Sequence, residues 1–159
     1  MIQLVPMTQA EFDTFLEHDI RTYAQANTQA GYWDQTSALE KSRREHKRLL
    51  PDGLKTRDHF LYIIRNDERR QVGVVWMKID LSSQKKPSGI IFDLEIDPPY
   101  QHKGYATQAM HELEKIALGL GLVQLSLHVF AYNTVAHKLY EKLGYTISSF
   151  NMIKPLGHK

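Results

Sequence analysis

The chain predicts an α/β domain, a mostly antiparallel sheet covered by helices. That reading rests on runs of β-branched and aromatic residues at 59–65 and 71–80, on a switch to helical apolar spacing after Pro98-Pro99, and on a return to alternation at 122–130. Its 159 residues suit one domain with a sizeable core. With 42% hydrophobic and 24% charged residues, the composition is that of a folded chain rather than a disordered one.

Residues 2–6 (IQLVP) read as a short first strand. Thr8, followed three positions later by Glu11, forms a capping box that opens a helix carrying Phe12, Phe15, Leu16 and Ile20 inward. A second helix runs from about Thr36 to Leu50 and stops at the turn Pro51-Asp52-Gly53. Tyr32-Trp33 falls in the loop between them. HFLYIIR (59–65) and QVGVVWMKID (71–80), divided by the polar NDERR, form a hairpin, and IIFDLEI (90–96) follows the break SSQKKPSG as a third strand of a meander.

After Pro99, the residues Ala106, Ala109, Met110, Leu113, Ile116, Ala117 and Leu120 mark one face of an amphipathic helix stopped by Gly119 and Gly121. In LVQLSLHVF (122–130), Leu125, Leu127 and Val129 alternate with Gln124, Ser126 and His128, which is a strand pattern. A short helix from about Asn133 to Leu143 is closed by Gly144, and YTISSFNMIK (145–154) reads as a last strand.

Several function classes are excluded or disfavoured. The absence of cysteine removes disulfides, thiolate metal sites and an acyl-thiol enzyme intermediate. The eight histidines show no HExxH-like spacing, so no metal site is expected. The opening residues lack a basic segment followed by an apolar run, and no apolar stretch approaches the roughly 18 residues of a membrane span; a cytoplasmic location without membrane attachment is the expectation. The net charge of +2 suits an anionic ligand without demanding nucleic acid. The basic run KSRREHKR (41–48) reads as a solvated helix face, and no nucleic-acid role is assigned to it.

The segment DPPYQHKGYAT (97–107) joins a strand end to the long helix and holds the pattern QxxGxA at Gln101, Gly104 and Ala106. A turn of this kind aims backbone N–H groups and the positive end of the helix dipole at one spot, where an anion belongs. Gly104 permits a tight turn and close approach of a phosphate, Ala106 keeps the next position small, and Lys103 adds charge. The pattern is neither GxGxxG nor GxxxxGK[ST], so the dinucleotide and nucleoside triphosphate fingerprints are missing.

Strand, QxxGxA, amphipathic helix, strand and NTVAHKLYEKLGY in this order resemble the GNAT superfamily of N-acetyltransferases over roughly residues 59–153. The similarity is densest in DLEIDPPYQHKGYATQAM and LSLHVFAYNTVAHKLYEKLGY. The resemblance implies a mixed sheet of about six to seven strands, flanked by about four helices and containing a splayed strand pair. It implies acetyl-coenzyme A as cosubstrate, with the pyrophosphate on the turn Gln101, His102, Lys103, Gly104, Tyr105 and Ala106, and with Thr107 close by. It further implies that the pantetheine arm pairs with backbone at Leu94 and Ile96, that Asn133 caps the helix beside the coenzyme, and that Tyr140 faces the thioester sulfur.

On this reading the enzyme moves an acetyl group directly to a primary amine of a small molecule or a peptide or protein N-terminus, with Tyr140 as general acid. A phenol is protonated at neutral pH and can donate to a departing thiolate. Strand alternation puts Asp93 and Glu95 on one face, opposite Phe92, Leu94 and Ile96, and Glu95 is the favoured base. His128 is a further candidate, and in relatives water can relay the proton instead. Residues 1–57 are expected on the acceptor side and 58–159 to supply the sheet and the coenzyme-binding core. Tyr32-Trp33 would overhang the acetyl end, and Asp34, Glu17 or Asp19 would bind a cationic acceptor. A homodimer is left open. The competing class is a non-catalytic coenzyme A-binding sensor on the same fold.

Overall fold

The computed structural model describes residues 1–82 and 86–157; residues 83–85 of the expected polar break, and the last two residues, lie outside that description. The elements run β1 (Gln3–Pro6), α1 (Gln9–Gln29), α2 (Ala38–Leu49), β2 (His59–Arg65), β3 (Gln71–Asp80), β4 (Ser88–Ile96), α3 (Tyr105–Gly119), β5 (Gln124–Leu127) and α4 (Thr134–Lys142). The strands form one sheet in the order β1-β2-β3-β4-β5, antiparallel except for the parallel β4–β5 pair.

The helix starts follow their sequence signals. The Glu11 N–H donates to Thr8 Oγ1 at 3.2 Å while the Thr8 N–H donates to a Glu11 carboxylate oxygen at 2.8 Å, completing the capping box. Asn133 Oδ1 accepts from the Ala136 N–H at 3.2 Å and starts α4. Gly121 and Gly144 take φ of 80° and 92° just beyond α3 and α4, the left-handed conformation that ends a helix at little cost to glycine.

Each face of the sheet buries its own core. On one face Phe12 and Phe15 of α1 pack on Leu61, Ile63, Val74 and Trp76. On the other, Ala109, Met110, Leu113 and Ala117 of α3 cover Ile64, Val75, Met77, Ile91 and Ile96, with Tyr140 of α4 and Leu143 just beyond it against the same cluster. The amphipathic readings of α1 and α3 therefore hold, except that Leu120 is exposed because it caps α3 beyond the helical turn.

Three expectations are corrected. Among the described residues the sheet has five strands, not six to seven: 145–154 forms neither strand nor helix, and its apolar residues Phe150, Met152 and Ile153, which share no single strand face, are exposed. The strand expected over 122–130 is confined to Gln124–Leu127. And β4 does not alternate cleanly. Its partners on β3 step from Met77↔Ile91 to Trp76↔Asp93, leaving Phe92 as the extra residue of a β-bulge. Phe92 lies 4.8 Å from Trp76, ring centre to ring centre, and stacks on His59 at 6.1 Å, so it shares the α1–α2 side with Asp93 instead of opposing it.

Glycine 73 holds this region together. It faces Ile96 across the β3–β4 ladder, and a Cβ built there would sit 2.2 Å from the Glu95 carbonyl oxygen and 3.1 Å from Ile96 Cα. Both obstacles are backbone. Gly73→Ala should lower stability by about 1–3 kcal/mol, read as a lower urea midpoint; an unchanged midpoint would mean β4 yields without cost.

Candidate active site

The site is built around the place where β5 leaves β4. The two strands pair from Ser88↔Gln124 to Ile91↔Leu127 and no further, so pairing stops one residue before the bulge. On its other edge β4 continues along β3, where the Asp97 N–H donates to the Val72 carbonyl at 2.8 Å. In an antiparallel ladder bonded pairs alternate with non-bonded ones, so Glu95 also points its backbone groups at β3. Leu94 and Ile96 turn theirs to the vacated edge. The Ile96 carbonyl there accepts from Gln101 Nε2 at 2.9 Å, which braces the following turn, and Leu94 keeps an edge without a strand partner.

That turn carries Gln101 in an extended conformation, His102 at φ 63° and Gly104 at φ 83° before α3 begins. The Gln108 N–H finds the Gly104 carbonyl at 3.1 Å, so the N–H groups of Tyr105, Ala106 and Thr107 are the unpaired donors of the first turn. A Cβ at Gly104 would meet nothing nearer than Gln108 Nε2 at 3.9 Å, which leaves open space over these amides. Lys103 Nζ stands 5.9 Å from the centre of the Tyr100 ring beside them.

A cleft of about 770 Å³ opens at the splay and extends under α1 and α2. Leu94, Glu95, His128, Asn133 and Tyr140 line it, together with Asp19, Phe92 and Asp93; Ile96 and the 101–107 turn lie outside its lining. Sequence-expected residues thus form two groups, one at the cleft and one at the turn, joined through β4. Asn133 already uses its Oδ1 as the α4 cap, and His128 is exposed against Phe130.

Glu95 is engaged by a residue that strand patterning did not single out. His18 of α1 has Nε2 2.9 Å and 3.1 Å from the two Glu95 oxygens. A carboxylate only accepts, so the His18 proton sits on Nε2. Deeper, His46 Nε2 lies 2.6 Å from Asp19 Oδ2 and Nδ1 lies 2.8 Å from the Ser42 carbonyl, and both residues are buried. Two acceptors require both ring protons. Burial pulls the His46 pKa down, but the Asp19 hydrogen bond, the Ser42 carbonyl and the Asp19 charge together outweigh it and raise it. Within the run 41–48, His46 is therefore core, while Arg43, Arg44 and Arg48 pair with Glu17, Glu40 and Glu45.

Asp93 holds its proton well above the ordinary carboxylate range, first through burial, then through the neighbouring charges of Asp19 and Glu95. Burial, followed by the Asp93 charge, pushes the Tyr140 phenol up to about 12. Of the three acids expected to bind a cation, only Asp19 lines the cleft. Glu17 faces Arg43, and Asp34 is spent on Thr36 and Ser37, whose hydrogen bonds hold its pKa far below normal. No helix among the described residues is long and apolar enough to cross a membrane, and no group of three metal-binding side chains occurs among them.

Known proteins resemble this chain in sequence and fold. The uncharacterised N-acetyltransferase YycN of Bacillus subtilis is 36% identical over 155 residues, 98% of this chain and 99% of that one. YdgE of the same organism, also uncharacterised, is 33% identical over 154 residues, 96% and 97% of the two chains. The crystal structure of B. subtilis YycN superposes with a TM-score of 0.95 at 35% identity, covering 99% of this chain and 100% of that one. Residues 16–145 match the acetyltransferase (GNAT) family. With that span matched, and with relatives this similar over nearly their whole length, the chain belongs to the GNAT family of acetyltransferases.

Proposed function

We propose that this protein transfers an acetyl group from acetyl-coenzyme A directly to a primary amine, of a small molecule or of a peptide or protein N-terminus. The observation that carries the reading is the unpaired β4 edge at Leu94, which leads into a turn whose first helical amides are free. Residues 58–159 then supply the coenzyme half and 1–57 the acceptor half. The free amides at Tyr105, Ala106 and Thr107, with those of the preceding turn residues and the Lys103 charge, suit a pyrophosphate. Leu94 offers backbone partners to a pantetheine amide. Because Gln101 occupies the Ile96 carbonyl, Ile96 contributes less than Leu94.

Bound acetyl-coenzyme A supplies the activated thioester. Tyr140, protonated throughout the neutral range, donates a proton to a leaving thiolate. Glu95, held by His18, accepts the proton that the amine must lose, directly or through water. His18 acts as a positioning residue for that carboxylate.

Gly104→Ala tests the coenzyme half. The new methyl group has room within the protein, so apart from a left-handed-backbone cost of about 1–2 kcal/mol it acts on whatever approaches the amides. Calorimetry should show acetyl-coenzyme A binding weakened about tenfold or more. Unchanged affinity would remove the turn from the site.

Tyr140→Phe should bind acetyl-coenzyme A normally and lose about 10²–10⁴-fold in kcat. With the phenol raised to about 12, Tyr140 stays protonated where an ordinary tyrosine near pKa 10 would ionise. Loss of a general acid appears as an alkaline fall in kcat, so that fall should lie above about pH 10. Equal turnover by Tyr140→Phe would take Tyr140 out of the mechanism. Coenzyme binding without thiol release across a broad amine panel would instead favour the sensor.

A further inference from the structure

The acceptor end of the cleft contains two features that acetyl transfer alone does not require. Asp93 Oδ2 is fully buried and has no hydrogen-bond partner among the described residues. Its neighbours cannot serve in its place, because Asp19 is bonded to His46 and Glu95 to His18. Asp93 Oδ2 is the buried cleft carboxyl atom left without a partner among the described residues, and such an atom calls for one.

The second feature is aromatic. Tyr23, Tyr32, Phe92 and Tyr132 line the same cleft at 37%, 44%, 38% and 41% exposure, an unusual concentration of uncovered rings. Phe130 joins two of them, lying nearly parallel to Tyr132 at 5.7 Å and 11°, and 6.3 Å from Tyr32. Flat faces of this kind pack best on another ring, and their negative centres also attract a cation.

We propose that Asp93 receives the amino group of an acceptor whose body is an aromatic ring, laid against the Tyr32–Phe130–Tyr132 wall. This rests on the acetyltransferase reading above and narrows its acceptor to an aryl-alkyl amine. The charge pattern agrees. An arriving ammonium would let Asp93 give up its proton and pair as a carboxylate, whereas a polyamine needs a second carboxyl and the remaining ones are engaged. Arg48 is paired with Glu45, but Lys78 lines the cleft without an ion-pair partner among the described residues, so an amino-acid acceptor is the competitor to beat.

The experiment follows thiol release with phenethylamine, phenylalanine and putrescine, alongside calorimetry of acetyl-coenzyme A alone. Phenethylamine should exceed the other two in kcat/KM by about tenfold or more, and Asp93→Asn should raise its KM about tenfold with acetyl-coenzyme A affinity retained. Tyr132→Ala, a change at an exposed ring, should raise KM as well and checks the wall independently of the acid. Equal or better use of phenylalanine or putrescine overturns the proposal, as does an Asp93→Asn protein with unchanged KM. Tight coenzyme binding with none of the three amines acetylated also overturns it while leaving the coenzyme reading standing. Absence of coenzyme binding removes that reading itself.

Discussion

β4 has to satisfy two edges in different ways. Along β3 it is paired from Ser88 to Ile96, and along β5 it is paired only to Ile91. Backbone groups away from a partner are costly unless water or a ligand meets them, so an edge released in the middle of a sheet is a place for a guest. The bulge at Phe92 coincides with the release: the extra residue bends and twists β4 just where the parallel partner must part from it. The length of β5, the opening of the cleft and the exposure of the Leu94 edge all follow from that one irregularity.

The same bulge assembles the electrostatics. By shifting the register it brings Phe92 and Asp93 to the α1–α2 side, where Asp93 meets Asp19 and lies close enough to Tyr140 to raise its pKa. Three acids around one cleft would repel strongly in a low-dielectric setting if all were charged. The conflict is relieved locally: His46 compensates Asp19, His18 donates a hydrogen bond to Glu95, and Asp93 keeps its proton. Asp19 comes from α1 and its charge helps to keep Asp93 protonated, so an N-terminal helix acts on the protonation of a β4 site as well as covering it.

Much of this was readable in the residues. The capping box, the meander, the amphipathic helices and the QxxGxA turn each carry a local signal whose physics is complete within a few positions, and the structure reproduces them. Other parts have no local signal. A bulge adds one residue without a distinctive composition, so strict alternation assigned Phe92 to the wrong face. His46 looked like part of a basic run because its partner, Asp19, is 27 residues away. His18 likewise meets Glu95 across 77 residues. A histidine opposite a helix's charged positions, next to a buried serine such as Ser42, is the faint trace that would have pointed inward. The last strand has a weaker signal: the apolar positions of 145–154 change phase between Ile147 and Phe150, so no continuous face runs along the segment.

The position of these polar contacts bears on how the two halves communicate. His18 and Asp19 are adjacent on α1, yet one reaches Glu95 and the other reaches His46 on α2, so a small rotation of α1 would disturb both contacts together. Ser42 ties the same two helices again through its hydroxyl, which donates to the Ile20 carbonyl at 2.7 Å. A buried ion pair adds little net stability but is damaging to break from one side, which makes it a device for fixing geometry more than for strengthening the fold. Here the fixed geometry is the placement of α1 against α2, from which His18 reaches Glu95 on β4 beside the unpaired strand edge. Substitutions on the distant face of α2 that shift His46 should therefore register at Glu95 before they register in the coenzyme turn, which is anchored separately through Gln101 and Ile96.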